Sequence, residues 1–317
     1  MKWKKLGKIF DPTEYTLANN CKEFAQSPQV LLFDDFLRVY FSTRERDSNG
    51  KFLSHISFVD MNKDFTVRGV SIEPVIELGK LGCFDEHGIF PLNTFRVDEK
   101  VYGYIGGWNR KVSVSVDGSI GFSVSNNNGL SFERVGDGPI ITSSINEPFL
   151  VGDPFVQKYD DVFHMWYIFG VKWEKFAEGS QPDRVYKIGH AVSDDGIHWV
   201  KQDGKKIVPD SLSEDESQAL PTVIKIEDRY HMYFCYRQSF DFRKNKNRGY
   251  RIGYAYSDDL VSWKRDDSNV GIGVSDGEWD SDMLCYPHVF EMDGKFYLMY
   301  NGNEFGRYGF GVAVLEV

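Results

Sequence analysis

Acidic residues recur at matching places ahead of a regularly spaced set of prolines. Pro28, Pro91, Pro154, Pro221 and Pro287 each open a short apolar run, at separations of 63, 63, 67 and 66 residues. Five positions before each proline stand Glu23, Glu86, Phe149, Glu216 and Asp282; the third copy supplies Glu147 and Asp153 instead, and the second carries the pair Asp85-Glu86. Carboxylates gathered in one low-dielectric funnel raise one another's pKa, which prepares a general acid beside an ionised base. A carboxyl pair of this kind is what cleavage of a glycosidic bond requires. One acid protonates the leaving oxygen while the other activates water or attacks, and their separation decides the stereochemical outcome. Turns that lead into strands are commonly acid-rich, so any single acid is as readily structural. The convergence of several at one end is what points to chemistry.

The elements that position these acids form a repeat. After each proline come an apolar strand, a polar turn and a second strand, as in Val30-Leu-Leu-Phe, Asp34-Asp35, Leu37-Arg-Val-Tyr-Phe41 and again in His288-Val-Phe-Glu-Met, Asp293-Gly294, Lys295-Phe-Tyr-Leu-Met-Tyr300. Asp-Asp and Asp-Gly pairs are hairpin-turn chemistry. A third strand and the turn after it repeat too: Ile188-Gly-His-Ala-Val-Ser-Asp-Asp-Gly-Ile-His-Trp199 parallels Ile252-Gly-Tyr-Ala-Tyr-Ser-Asp-Asp-Leu-Val-Ser-Trp263, with a looser copy from Ile120 to Phe132. Four short antiparallel strands per unit of about 65 residues, five times over, is the pattern of an all-β, five-bladed β-propeller. The fifth copy ends at its third strand, and Trp3-Lys4-Lys5 resembles the missing fourth, so the N-terminal strand is expected to close the ring. Residues 1–317 then form one domain, with blades at about 20–67, 83–135, 146–202, 214–266, and 280–317 with 1–8. The longest interruptions, Lys172–Arg184 and Phe240–Gly249, fall between second and third strands and are expected to be mobile loops.

Composition narrows the partners. Aromatic residues make up 15% of the chain and there are 30 glycines, which favours strands and tight turns over helices. A formal charge of −10 argues against nucleic acid or an anionic membrane as the main partner. Cys21, Cys83, Cys235 and Cys285 lie far apart, without metal-ligand spacing, and read as free thiols in a reducing compartment. The basic N-terminus lacks the apolar core of a signal peptide, and no apolar run is long enough to span a membrane, so a cytoplasmic location is expected.

Taken together, the Ile-Gly-x-Ala-x-Ser-Asp-Asp-Gly-x-x-Trp segments, Gly152-Asp153-Pro154, Gly82-Cys-Phe-Asp-Glu86, Tyr250-Arg-Ile-Gly-Tyr254 and Trp279-Asp-Ser-Asp-Met-Leu-Cys-Tyr-Pro287 with Tyr300-Asn-Gly-Asn303 resemble the five-bladed propeller glycosidases. That group holds invertases, arabinanases and levansucrases (glycoside hydrolase families 32, 43 and 68), with the mannoside phosphorylases of family 130 as relatives. The likeness is greatest to glycosidase-like proteins of bacteria. In the enzymes of this group, acids on the first three blades serve as base or nucleophile, as pKa-tuning aspartate and as general acid. Here Ser27-Pro28 stands where an Asp-Pro is expected, and the acids reappear one blade later. The resemblance therefore implies Asp85 as base or nucleophile, Asp153 as its electrostatic partner and Glu216 as general acid. Glu86, Arg237, Asp282, Tyr286, His288, Asn301 and Asn303 are candidates to bind sugar, and Trp108 to stack on a pyranose face. A carbohydrate substrate is implied, and a glycoside hydrolase is the leading reading. A phosphorylase or transglycosylase, with Arg44 and Arg96 as a phosphate clamp, and a non-catalytic carbohydrate-binding propeller are the alternatives. No cofactor and no metal are expected, apart from a central-channel cation at His288 or a bound phosphate.

Overall fold

The computed structural model describes residues 1–178 and 180–316. Gly179, inside the 172–184 interruption, and Val317, the end of the last expected blade, lie outside the described residues. The regular secondary structure is nearly all strand. β1 (Lys2–Phe10) comes first, followed by β2 (Glu23–Leu32), β3 (Phe36–Arg46), β4 (Phe52–Asn62) and the short β5 (Val67–Val70). The same succession of two long hairpin strands, a third, and a short fourth then repeats. It runs through β6 (Gly88–Val97), β7 (Lys100–Arg110), β8 (Val116–Ser125) and β9 (Glu133–Arg134), then β10 (Val151–Tyr159), β11 (Val162–Glu174), β12 (Asp183–Ser193) and β13 (Val200–Lys201). The next is β14 (Glu216–Ile226), β15 (Arg229–Gln238), β16 (Arg251–Ser257) and β17 (Lys264–Arg265). The last is β18 (Cys285–Met292), β19 (Lys295–Asn301) and β20 (Phe310–Glu316).

Within each group consecutive strands pair antiparallel, and β1 completes the last sheet by pairing with β20, in the order β1-β20-β19-β18. β2–β5 and β6–β9 are joined into one larger sheet by a single parallel bridge, Ser54 to Gly88. The first strands are mutual neighbours in a cycle: β2 lies beside β6, β6 beside β10, β10 beside β14, β14 beside β18, and β18 beside β2. Their contacts are polar. The Val30 N–H donates to His288 Nε2, the Val156 N–H to Asn93 Oδ1, and the Val289 N–H to Thr222 Oγ1. Neighbouring sheets bury apolar side chains between them, in clusters such as Leu31, Tyr40, Ile56, Ile89, Leu92 and Ile105. Burial of each such side chain contributes about 1.5–3 kcal/mol.

One device repeats in four of the five groups of strands. A buried acid at or ahead of the start of the first strand is ion-paired to a cation on the fourth: Asp85–Arg134 at 2.6 Å, Glu147–Lys201 at 2.7 Å, Glu216–Arg265 at 2.5 Å and Asp280–Lys5 at 2.6 Å. The residue two before each cation is aromatic: Phe132, Trp199, Trp263 and Trp3. In the first sheet Phe65 and Val67 hold these positions and pack in the same apolar cluster as Cys21. Each pair therefore clips the outer strand of a sheet to the loop entering its inner strand. Lys5 shows that β1 takes the fourth-strand role in the last sheet.

Deleting residues 1–8 is accordingly expected to lower the melting temperature by roughly 10 °C or more, because it orphans the buried carboxylate of Asp280 and removes Trp3 from its edge-on contact with Tyr233. Calorimetry checks this, and an unchanged transition would show that β1 is dispensable.

The 172–184 and 240–249 interruptions do not hang free. Residues 172–174 continue the β11–β12 ladder, and the Phe176 and Phe240 rings stack at 4.8 Å, so the two segments pack on each other. No helix among the described residues is long and apolar enough to cross a membrane.

Candidate active site

At each repeated proline the ladder between first and second strand slips. The breaks fall at Gln26/Gln29, Ile89/Leu92, Gly152/Phe155, Ala219/Thr222 and Cys285/His288. Proline cannot donate to the ladder, so the strand bulges there and the residue before it is re-aimed. Those residues are Ser27, Phe90, Asp153, Leu220 and Tyr286. Ser27, Asp153, Leu220 and Tyr286 have φ between +46° and +57°, a region costly for non-glycine residues and frequent at functional sites.

Phe90, Asp153 and Tyr286 line a cavity of about 570 Å³. Trp108 and Tyr186, with Arg44, Arg184, Arg237 and Arg243, complete much of its wall. Trp108 follows Gly106-Gly107, where the backbone runs too close to Phe90 and Phe84 for any side chain; a Cβ at Gly106 would lie 2.3 Å from the Phe90 carbonyl oxygen.

Asp153 is 7% exposed, and its Oδ2 accepts the Leu220 N–H at 3.3 Å. Burial raises its pKa to about 7, against the weaker opposing pull of that hydrogen bond and of Arg184. A carboxyl poised there holds its proton near neutral pH and can give it up, as a general acid must.

The arginines are the second feature. Arg237, at the end of β15, is 3% exposed. It donates to Tyr186 Oη and to the Gln238 carbonyl, each at 2.9 Å, and its guanidinium lies 3.5 Å from the Phe242 ring centre. Among the described residues its Nε has no hydrogen-bond partner. Tyr186 Oη in turn meets Tyr250 Oη at 2.6 Å. Arg184 donates to Ser115 Oγ at 3.4 Å and lies over the Trp173 and Tyr186 rings, and Arg243 is ion-paired with Asp183 at 3.7 Å. Arg237 is buried, Arg184 is half-buried, and the Arg243 side chain is 60% exposed. The buried Arg237 cation has no carboxylate partner among the described residues, which is costly unless an anion arrives. The arrangement is therefore an anion receptor beside a protonated carboxyl.

The structure does not bring the three expected catalytic acids together. Asp153 lines the cavity, as do Trp108, Arg237 and Tyr286 from the expected binding set. Asp85 lies behind Gly107, fully buried against Arg134, and Glu216 is fully buried against Arg265. Glu86 accepts the Gly82 N–H, and Asp282 pairs with Lys246 at 2.7 Å. His288 accepts the Val30 N–H in the ring of first strands, and burial keeps it neutral with a pKa of about 3, poorly suited to gather charge. Asn301 ties the Ser27 N–H to the Ala25 and Gly309 carbonyls, while Asn303 accepts the Asp282 N–H. Of the expected phosphate clamp, Arg44 lines the cavity; Arg96 donates instead to Asn128 and packs over Phe33.

Sequence reasoning missed Arg184, Arg243, Tyr186 and Tyr250. Arg184 and Arg243 sit in the two interruptions, and those insertions were the available signal. Of the three expected catalytic acids, Asp153 stands immediately before its proline, the position that the bulge aims, whereas Asp85 and Glu216 stand six and five positions before theirs.

Against known proteins, no family model matches the chain. It is 33% identical over 318 residues, the whole of both chains, to uncharacterized protein MT1551 of Mycobacterium tuberculosis (strain CDC 1551 / Oshkosh). A shorter stretch, 118 residues or 37% of this chain and 35% of the other, is 29% identical to 1,2-beta-oligomannan phosphorylase of Thermoanaerobacter sp. (strain X514). Among solved structures, a glycoside hydrolase superposes with a TM-score of 0.76 at 14% identity, over 99% of this chain and 93% of that one. A member of the GH130 family of mannoside phosphorylases superposes with a TM-score of 0.70 at 12% identity, over 99% and 93%. The protein belongs to one family with MT1551, and it shares its fold with solved glycoside hydrolases of families 32 and 43 and with the GH130 structure.

Proposed function

We propose that the protein is a glycoside phosphorylase, moving a glycosyl group to inorganic phosphate in the arginine-lined cavity of a five-bladed propeller that β1 closes. The observation that carries this reading is one desolvated, protonatable carboxyl, Asp153, lining the same cavity as Arg184, Arg237 and Arg243, while the other carboxylates of that wall, Asp117 and Glu304, have solvent-exposed side chains paired with Lys111 and Arg307. Hydrolysis by a carboxylate pair needs a second acid within about 10 Å, flanking the scissile bond. The other two acids expected for that role, Asp85 and Glu216, are instead neutralised in buried ion pairs. Phosphorolysis needs only one acid, because phosphate is itself the nucleophile. A phosphate oxygen bonds to the anomeric carbon as the bond from that carbon to the leaving oxygen breaks. Asp153 gives its proton to the leaving oxygen and regains one from the phosphate, so a glycosyl phosphate and an alcohol result. The arginine forks hold the phosphate in line and balance its charge throughout. The partial likeness to a 1,2-beta-oligomannan phosphorylase is in keeping with this chemistry.

Oligosaccharides incubated with and without inorganic phosphate, and followed by phosphorus NMR, test the reading. A glycosyl phosphate is expected to form only when phosphate is present. Arg237→Gln should raise the KM for phosphate by about tenfold or more, the value of a lost charge-assisted contact. Sugar release at the same rate without phosphate would establish hydrolysis instead.

A further inference from the structure

Resting on the phosphorolytic reading above, we propose that the glycoside itself is anionic, carrying a carboxylate or phosphate group that Arg44 receives. Arg44 stands on β3, in the first sheet, whereas Arg184, Arg237 and Arg243 come from the third and fourth groups of strands. Its Nε donates to Gln26 Oε1 at 2.9 Å, and its guanidinium carbon lies 5.0 Å from the Phe24 ring centre and 5.4 Å from that of Phe52. This holds the plane of the guanidinium while both terminal nitrogens, among the described residues, have no recorded protein partner. A fixed fork with two free donor nitrogens is the geometry that takes a carboxylate or phosphate bidentately.

The nearby carboxylates are already engaged. Glu23, opposite Arg44 in the ladder, pairs with Arg307 at 2.8 Å, and the adjacent Glu45 pairs with His55 at 3.0 Å. At the cavity wall Asp117 is held by Lys111 at 3.1 Å and Glu304 by Arg307 at 3.2 Å. Burial, and then the fields of Arg243 and Arg184, push the Arg44 pKa down, so its charge is felt by the other arginines and adds to theirs.

One phosphate dianion balances two of these positive charges. With phosphate held by Arg184 and Arg237, a neutral sugar would offer the Arg44 fork no anionic acceptor. An acidic donor meets Arg44 with its charge while its anomeric carbon lies toward Asp153. The protein as a whole carries −10, so the positive field is local to this cavity and selects at this point.

Calorimetric titration reads this directly. Matched sets of hexose, hexuronate and hexose 6-phosphate in the gluco, galacto and manno configurations are titrated into the full chain under saturating inorganic phosphate. At least one acidic form is expected to bind about tenfold or more tighter than its neutral twin, and the uronate and 6-phosphate arms identify which acid. Arg44→Gln should erase that preference, and Arg44→Lys, which keeps the charge but not the fork, should restore part of it. Melting curves verify that each variant is folded, and the wild-type comparison stands without them. The proposal is overturned if neutral twins bind as well in every set, if no acidic form binds, or if a folded Arg44→Gln keeps the preference. Preference for an acidic sugar without any phosphate dependence of turnover would sink the phosphorolytic reading and leave this one standing.

Discussion

Asp153→Asn is expected to abolish turnover and, at pH 8, to raise the melting temperature. The loss of activity follows from the role of Asp153 as proton donor, since an amide cannot supply the proton. A positioned general acid contributes about 10²–10⁴-fold, and at least a hundredfold fall in kcat is the expected measurement. The gain in stability follows from linkage. The folded-state pKa of Asp153 is about 7, above the unfolded value near 3.9. Folding therefore takes up a proton across that window, and the stability of the native state falls as pH rises from about 4 to 7. Above pH 7 the wild type carries a buried charge that the variant lacks, at a cost on the order of a few kcal/mol. Asparagine tolerates the left-handed backbone at φ +51° as aspartate does, and its oxygen can still accept the Leu220 N–H. The melting difference should be several degrees at pH 8 and shrink toward pH 4. In the wild type, kcat/KM should decline as pH rises through about 7, because the deprotonated enzyme has lost its acid. An inactive variant whose melting curve matches the wild type at every pH would mean that Asp153 is not desolvated in solution. An active variant would remove it from the chemistry.

The repeat was legible in the sequence because a four-stranded sheet with fixed turns imposes a fixed spacing on its prolines and its Ser-Asp-Asp turns. The structure gives those turns their reason. Ser193 Oγ bonds Asp195, which caps the following N–H groups, and the Trp199 indole returns to the Gly196 carbonyl at 3.2 Å. Tyr104 of the preceding sheet donates to that same carbonyl at 3.0 Å, so the turn also fastens one sheet to the next. The pairing of β1 with β20 was legible for a related reason, since Trp3-Lys4-Lys5 copies Trp199-Val-Lys201.

The site was less legible. A periodic acid marks whatever each repeat needs, and each repeat needs an ion-paired clip between its outer strand and its inner loop. A catalytic group is needed once, so it breaks the period: Asp153 occupies a position held elsewhere by Ser27, Phe90, Leu220 and Tyr286. The arginines were hidden differently. Arg184 and Arg243 lie in the two segments that depart from the repeat, which periodicity passes over; the stacking of Phe176 on Phe240 packs these segments together, and Arg184, Phe242 and Arg243 bring them into the cavity wall.

Glu216 provides the sharpest separation of structural from catalytic acid. Its carboxylate is fully buried and accepts the Ser211 N–H at 3.0 Å, the Leu212 N–H at 2.9 Å, Gln218 Nε2 at 3.0 Å and the Arg265 guanidinium. The fully buried Lys187 fastens the same loop, donating to Asp210 and to the Glu216 carbonyl. Burial opposes the carboxylate charge, but Arg265 and the other donors outweigh it and hold the pKa below the usual glutamate value. With the folded value depressed, this stabilisation is present above the unfolded pKa near 4.3 and is lost as pH falls through the folded one. Glu216→Gln takes away the fully buried carboxylate of the pair and leaves Arg265, among the described residues, only the Asp267 carboxylate, at 2.9 Å. Breaking a buried pair typically costs about 3–5 kcal/mol, and Asp267 keeps the loss toward the lower end. A melting temperature lower by roughly 5–15 °C at pH 7 is the expected result. Arg265→Met should cost about as much, for the mirror-image reason. The double variant Glu216→Leu/Arg265→Met removes both charges together and should recover part of the loss, because an apolar pair of similar volume often matches a buried ion pair, while the Ser211 and Leu212 N–H groups that Glu216 accepted stay unsatisfied. What remains folded of Glu216→Gln should turn over at near the wild-type rate per active molecule. A Glu216→Gln protein that melts like the wild type yet is inert would restore Glu216 to the chemistry, and would require the loop from Asp210 to Glu216 to open toward the cavity during turnover.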